Sequence, residues 1–215
     1  MTTHFPSDVA FTPNVKAIQE RRGSRAAYAR LEQGRGFRTA IDAELSRFIA
    51  EQTSFFMATA NADGQPYVQH RGGPPGFLRV LDASTLAFAD YRGNRQYITL
   101  GNLAENPKLQ LFLIDYARRT RVKIWGEARV VEGDAALMAS LMPPDYDAHA
   151  EQAIVMSVSA WDRNCNQHIP QRFEARDVEA ALAERDAKIT ERDAKITARD
   201  ARIAELEAAL QQARA

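Results

Sequence analysis

Residues 90–100 read DYRGNRQYITL, and here Arg92 and Arg95 flank Gly93 and Asn94 just after the apolar run STLAFA. A strand ends there and a helix is expected to begin. The first N–H groups of a helix lack partners and carry partial positive charge, and a planar guanidinium matches the paired oxygens of a phosphate, so this pattern suits an anion. It suits a solvated turn equally well, and the stretch alone does not choose between the two. A further basic residue, Arg71, sits in QHRGGPPGF, where Gln69, His70 and Gly72 surround it. That segment reads either as a stiff loop or as the polar edge of a ligand site, and His70 either as a base or as a residue pointing elsewhere. His4 and His149 have no companions at metal-ligand spacing, so no metal is expected. The single cysteine, Cys165, excludes an intrachain disulfide and any CxxC pair, and reads as a small filler residue.

Composition narrows the classes of function. Lys+Arg and Asp+Glu both total 28 over 215 residues, so no net basic field draws the chain to nucleic acid or an anionic membrane. The N-terminal stretch lacks an apolar signal-like region, and no stretch approaches a membrane span. A cytoplasmic protein is expected, with one ordinary domain and an appendage.

The elements that must hold these residues can be read from periodicity. A helix, or two short ones, is expected from Asn14, a possible cap, to about Leu31. A second is marked by Thr39 as cap and by Ile41, Leu45, Phe48 and Ile49 on one face. FFMATA, a turn through Asp63-Gly64, and YVQHR read as a β-hairpin. LRVLD and STLAFA read as strands, and a helix from near Asn94 stops before Pro107. KLQLFLIDY and RVKIWGEARVVE form another hairpin, GDAALMASLM a short helix, and AIVMSVSAW a last strand. Six or seven strands, mostly in hairpins, predict an antiparallel barrel, because closure removes exposed edges.

From Glu184 the sequence repeats every seven residues, with Leu182, Ile189, Ile196, Ile203 and Leu210 in step and Glu184–Lys188 and Glu191–Lys195 as i,i+4 pairs. A helix follows. The other seam position holds Arg185, Arg192 and Arg199, or else aspartates, so a paired coiled coil and a lone solvated helix both stay open, as dimer reinforcement or a partner contact.

In order, TAIDAELSRFIAEQ, SFFMATANADGQPYVQHRGG, TLAFADYRGNRQYITLGNLAENPKLQLFLID and RVKIWGEARVV resemble the pyridoxamine 5'-phosphate oxidase-like family of FMN-binding split barrels. The likeness covers residues 39–133, and AWDRNCNQHIPQRF resembles the end of one subgroup. It implies a mainly β fold with peripheral helices, a six-stranded antiparallel split β-barrel, organised as a helical segment (1–38), an FMN-binding domain (39–173) and a helical tail (174–215). It also implies a homodimer with FMN at the subunit interface. On this resemblance Arg95 is the main phosphate ligand, Asn94 a hydrogen-bond donor, and Gln96 stands where many members have lysine, a loss that Arg92 is positioned to offset. Arg71 is a basic phosphate or flavin contact. Arg121 reaches the ring across the dimer, Trp161 lies near it, and backbone groups from Gln69 to Gly73 with Asn164 or His168 serve its pyrimidine edge. Trp125, by contrast, reads as core.

The activity implied is that of an FMN-dependent oxidoreductase taking hydride from NADH or NADPH and reducing a flavin, quinone or other small acceptor. Two alternatives accompany it: the oxidation of pyridoxamine 5'-phosphate, and a non-enzymatic flavin-binding or sensing role with the tail as a partner contact. The first is disfavoured because the Arg-x-His arrangement that the namesake enzyme uses near its C-terminus is absent from WDRNCNQHIPQRF. Haem or an F420-type cofactor replaces FMN in some relatives.

Overall fold

A computed structural model describes residues 4–34, 36–164 and 166–214, apart from the side chain of Asn164; Cys165 lies outside the described residues. The chain divides into two compact units, Met1–Ile169 and Pro170–Ala215.

In the first unit seven strands form one antiparallel sheet: β1 (Ser54–Ala60), β2 (Pro66–Gly72), β3 (Arg79–Asp82), β4 (Thr85–Tyr91), β5 (Lys108–Asp115), β6 (Thr120–Val131) and β7 (Ala150–Asn164), in the order β2-β1-β5-β6-β7-β4-β3. All seven strands read from the sequence are present, one more than the six that the resemblance implies, with LRVLD forming the short edge strand β3. Alternation sends Phe55 and Met57 of β1, Leu109, Leu111 and Leu113 of β5, and Val122 and Ile124 of β6 into one core. The sheet curls on itself, so that Phe55 on β1 meets Phe88 on β4 edge-on at 5.2 Å and stacks on Phe77 at 5.4 Å. Among the described residues no backbone ladder joins the edge strands β2 and β3.

Helices cover the sheet. The N-terminal pair expected from sequence is α1 (Pro13–Arg21) and α2 (Arg25–Gln33), capped not by Asn14 but by Thr12, whose hydroxyl accepts from the Val15 N–H at 3.3 Å ahead of a proline. α3 (Ala43–Glu51) buries Leu45 and Ile49, and its cap is Asp42 rather than Thr39: the Asp42 carboxylate accepts from the Leu45 N–H at 2.8 Å. α4 (Ile98–Glu105) starts four residues later than expected, after a non-helical turn, and is tied down by Asn102 donating to Thr59 and Thr99 donating to Gln69, both at 2.9 Å. A second helix, α5 (Ala135–Leu141), also lies between strands and packs on Ala87, Ala89, Ala153 and Val155, the face of β4 and β7 away from the main core.

One irregularity decides which residues β7 points inward. The β6–β7 ladder pairs Trp125 with Ala160 but Gly126 with Val158, so Ser159 is the extra residue of a β-bulge. A Cβ at Gly126 would collide with the Ser157 carbonyl, which accounts for glycine at that point. Beyond the bulge the parity flips, and Trp161 and Arg163 face the barrel side with Ile124 and Val122, while Asp162 pairs with Lys123 on the outer face.

The second unit contains α6 (Ala175–Arg214), which buries no residue and forms both expected pairs, Glu184–Lys188 and Glu191–Lys195, at 2.5 Å. Leu182, Ile189, Ile196, Ile203 and Leu210 are all exposed along it.

Candidate functional site

The stretch DYRGNRQ spans the end of β4 and the turn into α4, and it meets β2 at a small cleft of about 40 Å³. Period two puts Gln69 and Arg71 on the inward face of β2, and both line the cleft with Gly93, Asn94, Arg95 and Gln96. These are five of the residues expected at the site, together with the glycine between the two arginines.

The electrostatics of the cleft are more balanced than the sequence suggested. Arg71 is nearly buried and paired with buried Asp90, Nη1 to Oδ1 at 2.5 Å, and Asp90 also accepts from the Gln152 amide at 2.5 Å. Arg92 does not line the cleft; its Nε lies 3.6 Å from Glu151, which does. With Asp90 and Glu151 so engaged, Arg95 is the exposed cation of the cleft, and its only hydrogen bond among the described residues is from Nε to the Tyr97 hydroxyl at 3.2 Å. That bond, with Tyr97 and Glu151 nearby, raises the Arg95 pKa further, so it is a permanent charge.

Three features leave this cleft ready for an acceptor group from outside the chain. Arg71 Nε is buried without a partner, which leaves a donor at the cleft. Arg95 and Tyr97 both take positive φ, 61° and 54°, a conformation that costs a non-glycine residue about 1–2 kcal/mol and that clusters at functional sites. The N-cap residue of α4, Tyr97, makes no side-chain capping bond, so the helix presents free N–H groups where Ile98, Thr99 and Leu100 line the cleft. A Cβ at Gly93 would meet nothing in the chain, so its absence keeps space that the protein itself does not use.

The other expected site residues lie elsewhere. His70 is on the outer face of β2, edge-on to Phe56 at 5.6 Å. Gly72 ends β2 beside the His70 ring, which a Cβ there would crowd at 3.2 Å. Arg121 is the second residue of β6, on its outer face, paired in register with Asn164, whose side chain lies outside the described residues. His168 is exposed in a turn with φ 61°. Trp161 corrects the sequence reading: it is only 5% exposed, belongs to the core, and its indole N–H donates to the Ala40 carbonyl at 2.8 Å. Trp125, expected in the core, instead stacks half-buried on Phe37 at 5.2 Å. The Ser159 bulge turns Trp161 inward, whereas Trp125 faces outward by the plain alternation of β6 with Val122 and Ile124. Sequence reasoning missed Asp90 and Tyr97, although a carboxylate closing the apolar run STLAFA was a signal that it had a buried partner.

The family profile for pyridoxamine 5'-phosphate oxidase matches residues 41–170, well over half the chain and all seven strands. The chain belongs to that family. Comparison with curated proteins returns no match. Among solved structures, a putative pyridoxamine 5'-phosphate oxidase from Lactobacillus delbrueckii is 21% identical, with a TM-score of 0.46, covering 58% of this chain and 95% of the other. An FMN-binding protein from Syntrophomonas wolfei is 10% identical, with a TM-score of 0.46, covering 68% and 97%. The haem storage protein HutZ of Vibrio cholerae is 17% identical, with a TM-score of 0.41, covering 55% and 89%. Among the described residues no helix is long and apolar enough to cross a membrane, and no group of three or more His, Cys, Asp or Glu is arranged to hold a metal.

Proposed function

We propose that this family member is an FMN-dependent oxidoreductase acting as a homodimer, taking hydride from NADH or NADPH and passing electrons to a flavin, quinone or other small acceptor. The observation that carries the reading is the cleft in which unpaired Arg95, the orphaned Arg71 Nε and the uncapped start of α4 converge. These groups fit a phosphate: Arg95 supplies the charge, Arg71 and Asn94 supply donors, and Gly93 gives the approach. When bound, FMN supplies the redox chemistry, and the protein's part is to hold and orient it.

The cleft is too small for the flavin ring, and the remaining expected contacts cannot reach it within one chain. Gln152, beside the cleft, and Trp161 are separated by nine residues of β7, roughly 30 Å of strand. Arg121 and His70 also face the opposite side of the sheet from Arg71. The reading therefore takes Arg121 from a second copy, and the exposed Val68 and Phe56 of that outer face are the surface available to it. A non-enzymatic flavin-binding role is the second reading, favoured by the exposed heptad residues of α6, which suit a partner contact.

The test is direct. The purified protein is examined for a bound chromophore by spectrum and mass after gentle denaturation, and then mixed with NADH or NADPH without air. FMN that bleaches supports the oxidoreductase; FMN that does not bleach moves the reading to a binding role. Haem, an F420-type cofactor, or failure to take up FMN would overturn it.

A further inference from the structure

Outside the cleft proposed for FMN, a cavity of about 440 Å³ lies between α3 and the adjoining ends of β6 and β7, within the size range of small-molecule sites. Its floor is apolar, formed by Leu45 and Phe48 of α3, Val122 of β6 and Trp161 of β7. The bulge at Ser159 puts Trp161 there. Without it, this face of β7 would present Asp162 instead.

The rim is charged but not balanced. Four guanidiniums, of Arg38, Arg47, Arg118 and Arg163, line the cavity with three carboxylates, of Glu44, Glu51 and Asp162. Arg163 is paired with Glu44 and Arg118 with Glu51, two half-exposed bridges that strap α3 over the cavity from either end. Arg38 is paired with Asp42 and also lies over the Trp161 ring, 4.9 Å from its centroid. Asp162 borders the cavity beside Trp161 and Arg163, and its register partner is Lys123. Arg47 is the exception: its Nε bonds the Ala43 carbonyl of its own helix at 3.3 Å, and among the described residues no carboxylate pairs with it.

We infer that this cavity is a second ligand site, distinct from the FMN cleft, that takes a small monoanion with a flat apolar body, an aromatic carboxylate in chemical terms. The apolar floor accepts the rings, and the uncompensated Arg47 takes the carboxylate in a charge-assisted hydrogen bond. A dianion is disfavoured because the other three arginines already hold carboxylates, and a neutral ligand leaves Arg47 unanswered. None of the groups that hold the FMN phosphate lines this cavity, so the inference stands or falls apart from the cofactor.

The probe is 2-naphthoate, compared with its uncharged counterpart 2-naphthylmethanol, titrated into the full-length protein by calorimetry with and without FMN. Fluorescence in a Trp125→Phe background, where Trp161 is the only tryptophan, locates the event. The expected result is saturable one-site binding of naphthoate that perturbs Trp161 and survives FMN, with weaker binding of the alcohol. Arg47→Gln is expected to weaken naphthoate by at least ~10-fold and leave the alcohol unchanged, with Arg47→Lys retaining part of the difference. Arg47 is exposed and outside the core, so these variants fold; their melting temperatures check it. Absence of saturable binding, equal affinity for acid and alcohol, or an Arg47→Gln effect below about twofold would overturn the inference. Displacement of naphthoate by FMN would also overturn it, by placing the probe in the cofactor cleft.

Discussion

The Arg71–Asp90 pair is the point where the barrel's two ends meet, and breaking it tests both the fold and the cleft. Arg71 comes from β2, at one edge of the sheet, and Asp90 from β4, next to the other edge. Removing one partner of a buried ion pair costs about 3–5 kcal/mol, because the remaining charge is left in a poorly solvated place. For a domain of this size each kcal/mol moves the melting temperature by about 2–4 °C, so the expected loss is roughly 6–20 °C. The two single variants should differ. Arg71→Met leaves Asp90 with its bond from Gln152, so its cost belongs at the lower end. Asp90→Asn strands a guanidinium whose Nε already has no partner, so its cost belongs at the upper end. The double variant retains neither charge and should lose far less than the sum of the singles. Melting is followed by tryptophan fluorescence, since Trp125 and Trp161 lie in the Met1–Ile169 unit and far-ultraviolet ellipticity would mix in α6. Saturating FMN should narrow the Asp90→Asn loss, its phosphate supplying the missing negative charge. Single-variant losses below about 4 °C that add in the double variant would refute the closure argument.

Further outcomes separate the remaining assignments. Arg95→Ala should raise the FMN dissociation constant at least ~10-fold, while the exposed position keeps apo stability within about 0.5 kcal/mol; unchanged FMN affinity would remove Arg95 from the site. Gln96→Lys should tighten FMN binding by adding a cation in the cleft, whereas Arg92→Ala should change it little because Arg92 faces Glu151; titration of FMN into both variants decides whether Arg92 offsets the missing lysine. Asp42→Ala should cost about 0.5–2 kcal/mol through the lost α3 cap. The Leu45 N–H, and then Arg38, hold the Asp42 carboxyl below its ordinary value of 3.8. Its contribution is therefore full above that value and disappears as pH falls through the lowered one, so urea melts of wild type and variant should converge in acid. Deleting residues 175–214 should leave the tryptophan-detected melt of the barrel unchanged, and the mass in solution then reports whether α6 is needed for association.

The sequence by itself determined a good deal. Alternation in FFMATA, KLQLFLID and RVKIW fixed which side chains form the barrel core, because period two survives wherever a strand is regular. The heptad step from Leu182 to Leu210 marked α6, and the position of Arg95 and Asn94 after a barrel strand marked the cleft. What the sequence could not carry were relations between distant segments. Asp90 looked like a turn residue until the curl of the sheet brought Arg71 and Gln152 to it. Arg92, two residues along, acquired Glu151 and left the cleft it was expected to line. The sharpest case is Trp161. A strict alternation through SVSAWDRN faces Trp161 outward, but Ser159 bulges where Gly126 allows a close backbone approach, and every later residue of β7 changes sides. Local pattern specifies a strand; only the pairing of two strands, residue by residue, decides which of its faces is inside.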